Sequence, residues 1–193
     1  MAGKREALRQ DLTNRLIEAA TNRITTSGLN ALRARQIAED AKCALGTIYK
    51  CFADFDDLIL HVNSRTLAAL GAALKKAMSE SGEGETPLEV LAVAYMRFAK
   101  ENTHLWAALF EHRMPQNVPV PDWHLEEHGA LFDDLSSIIS GSAEGLSEEE
   151  ANVRARTYFS AIHGIVSISL QDRFVGVPLE RLENEVRTFA RAL

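Results

Sequence analysis

Proline, cysteine and long apolar runs are all scarce in this chain. Five prolines occur in 193 residues, three of them between 115 and 121, so most of the chain is free of helix breakers. With only three tyrosines, and with Ala, Leu, Glu and Arg abundant, the composition predicts an all-α fold. The two cysteines, Cys43 and Cys51, lie eight residues apart in and beyond one expected turn, so no intrachain disulfide is expected and a reducing cytoplasm is the expected location. No apolar run approaches the about 20 residues of a membrane span, and the N-terminus lacks the apolar core of a signal peptide. No membrane partner is therefore expected. Positive charge is also short: 21 Lys and Arg stand against 27 Asp and Glu, a net of −6 that argues at first against nucleic acid.

The distribution of charge points the other way. Residues 1–53 hold nine Lys and Arg against five Asp and Glu, a net of +4; residues 54–193 hold twelve against twenty-two, a net of −10. A basic head on an acidic body is the pattern of a DNA reader with a separate sensing or pairing domain. At 46% hydrophobic and 25% charged, the chain can bury a proper core.

Residues 34–52 are the informative stretch. Ile37, Ala38 and Ala41 share one face of a short helix, Lys42-Cys43-Ala44 interrupts the pattern, and Leu45 to Phe52 restarts it with Ile48 and Phe52 inward. Two short helices on a tight turn outline a helix-turn-helix, whose second helix enters a major groove. The outward face carries Arg35, Thr47, Tyr49 and Lys50, which suit phosphates and base edges.

Taken in order, residues 1–6 read as a loose basic arm. Leu8, Leu12, Leu16, Ile17, Ala20 and Ile24 then predict an amphipathic helix from about Ala7 to Ser27, closed by Gly28 in a left-handed cap. Asn30 is the expected N-cap of the second helix. Asp54 caps a long fourth helix, about Asp54–Ser79, and residues 81–85 form a linker. Thr86-Pro87 starts a helix; a short one covers Leu105–His112; residues 115–121 are loop; a third runs from Asp122 to Gly141. Ser147 caps a helix reaching about Leu170, and Pro178 opens the last, with Leu179, Leu182, Val186, Phe189 and Leu193 in register. The count is nine helices, divided into a head over 1–55 and a body over 56–193, with no strand or repeat.

The stretch Arg35-x-Ile37-Ala38-x-x-Ala41, followed by Gly46-Thr47-Ile48-Tyr49-x-x-Phe52, resembles the helix-turn-helix of the tetracycline-repressor (TetR) family. The resemblance is carried by residues 7–60. Phe159-x-x-x-His163-Gly164 also resembles the Trp-His-Gly signature of one group of the family's C-terminal domains, with Phe in place of Trp. The family implies DNA contacts from Thr47, Tyr49 and Lys50, with Ala44 and Leu45 near the bases. Three positions depart from its pattern. Lys42 replaces the usual turn glycine, Arg33 replaces a capping hydroxyl residue, and Phe55 replaces a lysine amid aspartates. Lys42 and Arg33 bring charge of their own, and Arg33 can reach the same phosphate; the phosphate contact at Phe55 is lost, which predicts a modest DNA affinity.

The resemblance further implies an effector held between body helices. Tyr95, Phe98, Trp106, Phe110, Phe132 and His163 are the candidates, with His163 the polar group. It also implies a homodimer through the last two helices, where Ser160, Ala161, Gly164 and Ser167 permit close approach. The expected function is a one-component regulator, a repressor, that binds palindromic operator DNA and is released by a small-molecule effector. No catalytic residue, cofactor or metal is expected. Two rivals stand beside it. His124-x-x-Glu127-His128 has the form of an inverted zinc-peptidase motif and suggests a metal-dependent hydrolase, or a sensory metal shared with His104 or His112. Alternatively, Phe55 and the missing contacts suggest an adaptor that no longer binds DNA.

Overall fold

A computed structural model describes residues 2–142 and 145–192 of the chain. Among the described residues there are nine α-helices and no strand: α1 (Ala2–Ser27), α2 (Ala34–Asp40), α3 (Ile48–Cys51), α4 (Phe55–Ser79), α5 (Pro87–Glu101), α6 (Thr103–Glu111), α7 (Asp122–Ser142), α8 (Glu148–Leu170) and α9 (Leu182–Arg191). None of these helices is long and apolar enough to cross a membrane.

The starts of the long helices follow their caps. Asp54 accepts the Asp57 backbone N–H at 2.7 Å, while the Asp57 carboxylate accepts that of Ala53 at 2.9 Å. Thr86 Oγ1 accepts the N–H of Glu89 one turn into α5. At α8, Ser147 and Glu150 satisfy each other's N–H groups in a full capping box.

Several boundaries differ from the sequence expectation. Residues 2–6 belong to α1 rather than to a loose arm. Gly28 ends α1 at φ 74° and ψ 169°, a mirror-extended conformation open in practice only to glycine, not the left-handed helical cap. The chain then takes a 3₁₀ turn through Leu29–Ala31, and backbone bonds from Ala31 to Gly28 and Leu32 to Leu29 satisfy the local groups. Asn30 therefore caps nothing; Arg33 occupies the N-cap position of α2 without a side-chain cap bond. At the other end, Pro178 opens a single turn, closed by Arg181 N–H on the Pro178 carbonyl, and α9 begins only at Leu182. Leu182, Val186 and Ala190 form its buried face, which leaves Leu179 and Phe189 exposed. Leu193 lies outside the described residues.

By internal packing the chain forms two units, Met1–Leu67 with Asn102–His124, and Ala68–Glu101 with Leu125–Leu193. α4 belongs to both. The first unit packs α1 against α2, α3 and α6 around Leu16, Ile24, Ile37, Ile48, Phe52 and Leu58. Its edges are pinned by polar bonds. The Arg23 guanidinium grips Asp40 with two donors and Gln36 with a third, and Arg65 donates to Asn14 at 2.9 Å. In the second unit α9 packs on α5 and α8. There Glu89, fully buried, accepts from both Arg187 and Arg191, and Arg187 also reaches Glu85.

Candidate functional site

The turn between α2 and α3 is built by its hydrogen bonds. Cys43 N–H returns to the Ala38 carbonyl at 2.9 Å, and Lys42 N–H returns to that of Glu39 at 3.0 Å. This is the Schellman pattern, which needs its C′ residue in the left-handed region. Lys42 sits there, at φ 52°, where the resemblance would place glycine. The Arg15 guanidinium donates to the Ala41 carbonyl and completes the end of α2. Beyond the turn, Leu45–Thr47 form a 3₁₀ turn that leads into α3, and Ala44 at the N-cap offers no side-chain acceptor.

The two faces of this unit separate as the periodicity predicts. Ile37, Ala38, Ala41, Ile48 and Phe52 are buried. Arg33, Arg35, Lys42, Ala44, Leu45, Tyr49 and Lys50 are exposed, and Thr47 is half-buried. The candidate DNA-contacting residues are therefore open to solvent, Thr47 only in part. Arg33 Nη1 already donates to the Asn30 and Leu32 carbonyls, at 2.8 and 2.7 Å, so this nitrogen is occupied in bracing the start of α2. Arg35 pairs loosely with Glu39, 3.6 Å away with both side chains largely in water.

At the end of α3, Phe52 packs on His61, which stacks on Trp123 with ring centroids 4.9 Å apart. His112 lies 3.6 Å from Asp56. Burial holds its imidazole below the ordinary histidine value, against the opposing pull of Asp56 and Asp54. These contacts join residues far apart in sequence, and no periodicity announces them.

Of the expected effector residues, Tyr95, Phe98, Phe132 and His163 lie in the second unit, and Trp106 and Phe110 in the first. Tyr95 Oη and His163 Nδ1 share a 2.8 Å hydrogen bond. Phe159 stacks on His163, and both Tyr95 and Phe132 meet Phe159 edge-on at 5.6 and 5.2 Å. Arg156 stands over the Phe132 ring. Burial lowers the affinity of His163 for a proton. Trp106 and Phe110 contact each other edge-on; Trp106 is buried and Phe110 exposed. Phe159 is the member of this cluster not singled out as a ligand residue from the sequence, although it stands in the Phe-x-x-x-His-Gly motif one helical turn before His163.

The zinc-like pattern does not assemble a site: among the described residues, no three His, Cys, Asp or Glu side chains converge to hold a metal. His124 is buried, and His104 bonds the Thr25 carbonyl oxygen. Cys43 and Cys51 are free thiols packed against the aliphatic core of the head. On α8, Ser160 is exposed and Ala161, Gly164 and Ser167 are half-buried; Val153 and Ile168 on the same helix are exposed.

Residues 88–193 match the family model described as "Tetracyclin repressor-like, C-terminal domain". No curated protein sequence matches the chain significantly. Among solved structures, the chain is similar to a protein of unknown function from Rhodococcus sp. RHA1, at 24% identity over 94% of this chain and 95% of that one, with a TM-score of 0.73. It is similar as well to the transcriptional regulator FadR from Bacillus subtilis in complex with stearoyl-CoA, at 18% identity over 91% and 96%, with a TM-score of 0.70. A TetR transcriptional regulator from Rhodococcus sp. RHA1 shares 19% identity over 95% of both chains, with a TM-score of 0.63.

Proposed function

Because this chain belongs to the tetracycline-repressor-like family, we propose that it is a ligand-responsive transcriptional repressor, homodimeric, that binds palindromic operator DNA and leaves it when a small molecule binds the body. The observation that carries the reading is the division of the helix-turn-helix into a buried apolar face and exposed residues Arg35, Lys42, Tyr49 and Lys50. Lysine and arginine supply the salt-dependent attraction to phosphates, and Tyr49 supplies a directed hydroxyl. A twofold pair of such heads reads successive major grooves when its recognition helices stand about 34–36 Å apart.

The dimer pairs α8 and α9 of two copies, using the exposed small and apolar residues of α8 and Phe189. The effector is a small molecule with an apolar body and one hydrogen-bonding group, received by Phe98, Phe132 and Phe159 with the Tyr95–His163 pair as its polar anchor. Stearoyl-CoA, the ligand in the Bacillus subtilis FadR structure, shares the apolar body in its acyl chain but adds a large polyanionic coenzyme. α4 carries the coupling, since one continuous helix belongs to both units. An effector shifts the DNA equilibrium only as far as its affinities for the two states differ.

The test is selection of sites from random-sequence DNA by the full chain, followed by anisotropy on the recovered duplex. The reading predicts a twofold-symmetric site whose half-sites are one helical turn apart. Failure to enrich any sequence would sink it and favour the adaptor.

A further inference from the structure

The exposed face of the head is cationic, yet the start of its recognition helix is apolar. Leu45 is 45% exposed, Ala44 before it is exposed, and a Cβ built on Gly46 would meet no atom within 4 Å. Tyr49, four residues on in α3, is 55% exposed. Thr47, the one hydroxyl in this first turn, is half-buried. None of the residues 44–47 has a side chain able to make the bidentate hydrogen bonds by which Arg, Asn, Gln or a carboxylate reads a base edge.

An aliphatic side chain in the major groove has one distinctive partner, the C5 methyl group that thymine alone carries in unmodified DNA. The exposed cations Arg35, Lys42 and Lys50 around the apolar turn favour a polyanion over an apolar protein partner. We propose that Leu45 is the specificity-determining residue of the head and reads the methyl group of a thymine in each operator half-site. This rests on the reading of the chain as a DNA-binding regulator. Leu45 lies outside the buried cluster that holds the head together, so its truncation leaves that core intact.

The experiment uses the duplex recovered by selection. Each thymine is replaced in turn by deoxyuridine, which removes only the methyl, and affinity is read by anisotropy. One symmetric thymine per half-site should lose about fourfold on replacement, and both together about fifteenfold, from the burial of a single carbon group. Leu45→Ala should bind the thymine and deoxyuridine duplexes alike, while keeping its salt dependence. If no thymine responds, or if Leu45→Ala discriminates as the wild type does, the assignment is overturned and the DNA-binding reading stands. If selection enriches no site, both are overturned.

Discussion

The two units bury different chemistry. In the first, the most deeply buried side chains are Leu16, Ile24, Ile37, Ile48, Leu58 and Val62, with Asn63 as the polar member. In the second, Leu182, Val166 and Val186 share that depth with Glu89, a carboxylate held by Arg187 and Arg191. An aliphatic core depends on shape and is indifferent to protons. A core containing a paired charge depends on the pairing, and so on pH. The first unit is thus stabilised by shape and carries an exposed charged face, whereas the helices of the second are joined partly by charge.

The largest expected effects contrast the two units directly. Ile37→Ala, at a fully buried site in the head, should cost about 4 kcal/mol in urea unfolding, with the same loss at pH 7 and pH 4. Removing both partners of Glu89, in Arg187→Ala/Arg191→Ala, should cost about 3 kcal/mol at neutral pH, at the low end for a buried pair because Arg191 is half in water. This second loss should fade in acid. The hydrogen bond from Arg191, then that from Arg187, hold the Glu89 carboxyl below its ordinary value of 4.5 despite burial. Its charge therefore contributes stability above about pH 4.5, and the contribution drains away as pH falls from there through the folded-state value. Equal pH dependence in the two variants would erase the contrast.

Smaller effects sharpen it. Tyr95→Phe removes the 2.8 Å bond to His163 and should cost about 1 kcal/mol, with a change in effector response and none in the affinity of the effector-free protein for DNA. Lys42→Gly relieves a lysine held at φ 52° and should stabilise the head by about 0.5–1 kcal/mol. It also removes a cation from the face proposed to meet DNA, so binding should weaken while stability rises. A glycine variant that binds DNA as well as the wild type would remove Lys42 from the interface.

How much of this was legible in the sequence follows the same division. The head was readable because a 3.6-residue apolar pattern reports its own burial: Ile37, Ala38, Ala41, Ile48 and Phe52 are all inside. The caps at Asp54, Thr86 and Ser147 are local signals and mark the starts of α4, α5 and α8. Glu89 was missed because a charged residue is placed outward by pattern alone. The signal was nonetheless present: Arg187 and Arg191 stand four apart on the face of α9, and Glu89 stands one residue before Val90 on the buried side of α5. The start of α9 was misplaced because Pro178 suits a single turn as well as a helix, and only packing on Leu182 and Val186 separates them. The exposure of Leu8 has a similar origin, since a periodic stripe does not say where its partner surface ends. Within the candidate effector cluster, the Tyr95–His163 bond joins residues 68 apart, beyond the reach of any local pattern.

The most direct test of the central claim is anisotropy of the full chain on the selected duplex and on a scrambled one, over a salt series, for wild type and Tyr49→Ala. With Arg35, Lys42 and Lys50 from each of two protomers on phosphates, the affinity should fall with salt at a logarithmic slope of about −5. The selected duplex should bind far more tightly than the scrambled one, and Tyr49→Ala should lose that binding. Equal, weak binding of both duplexes that is unchanged in Tyr49→Ala would show that the exposed face of the head does not read DNA.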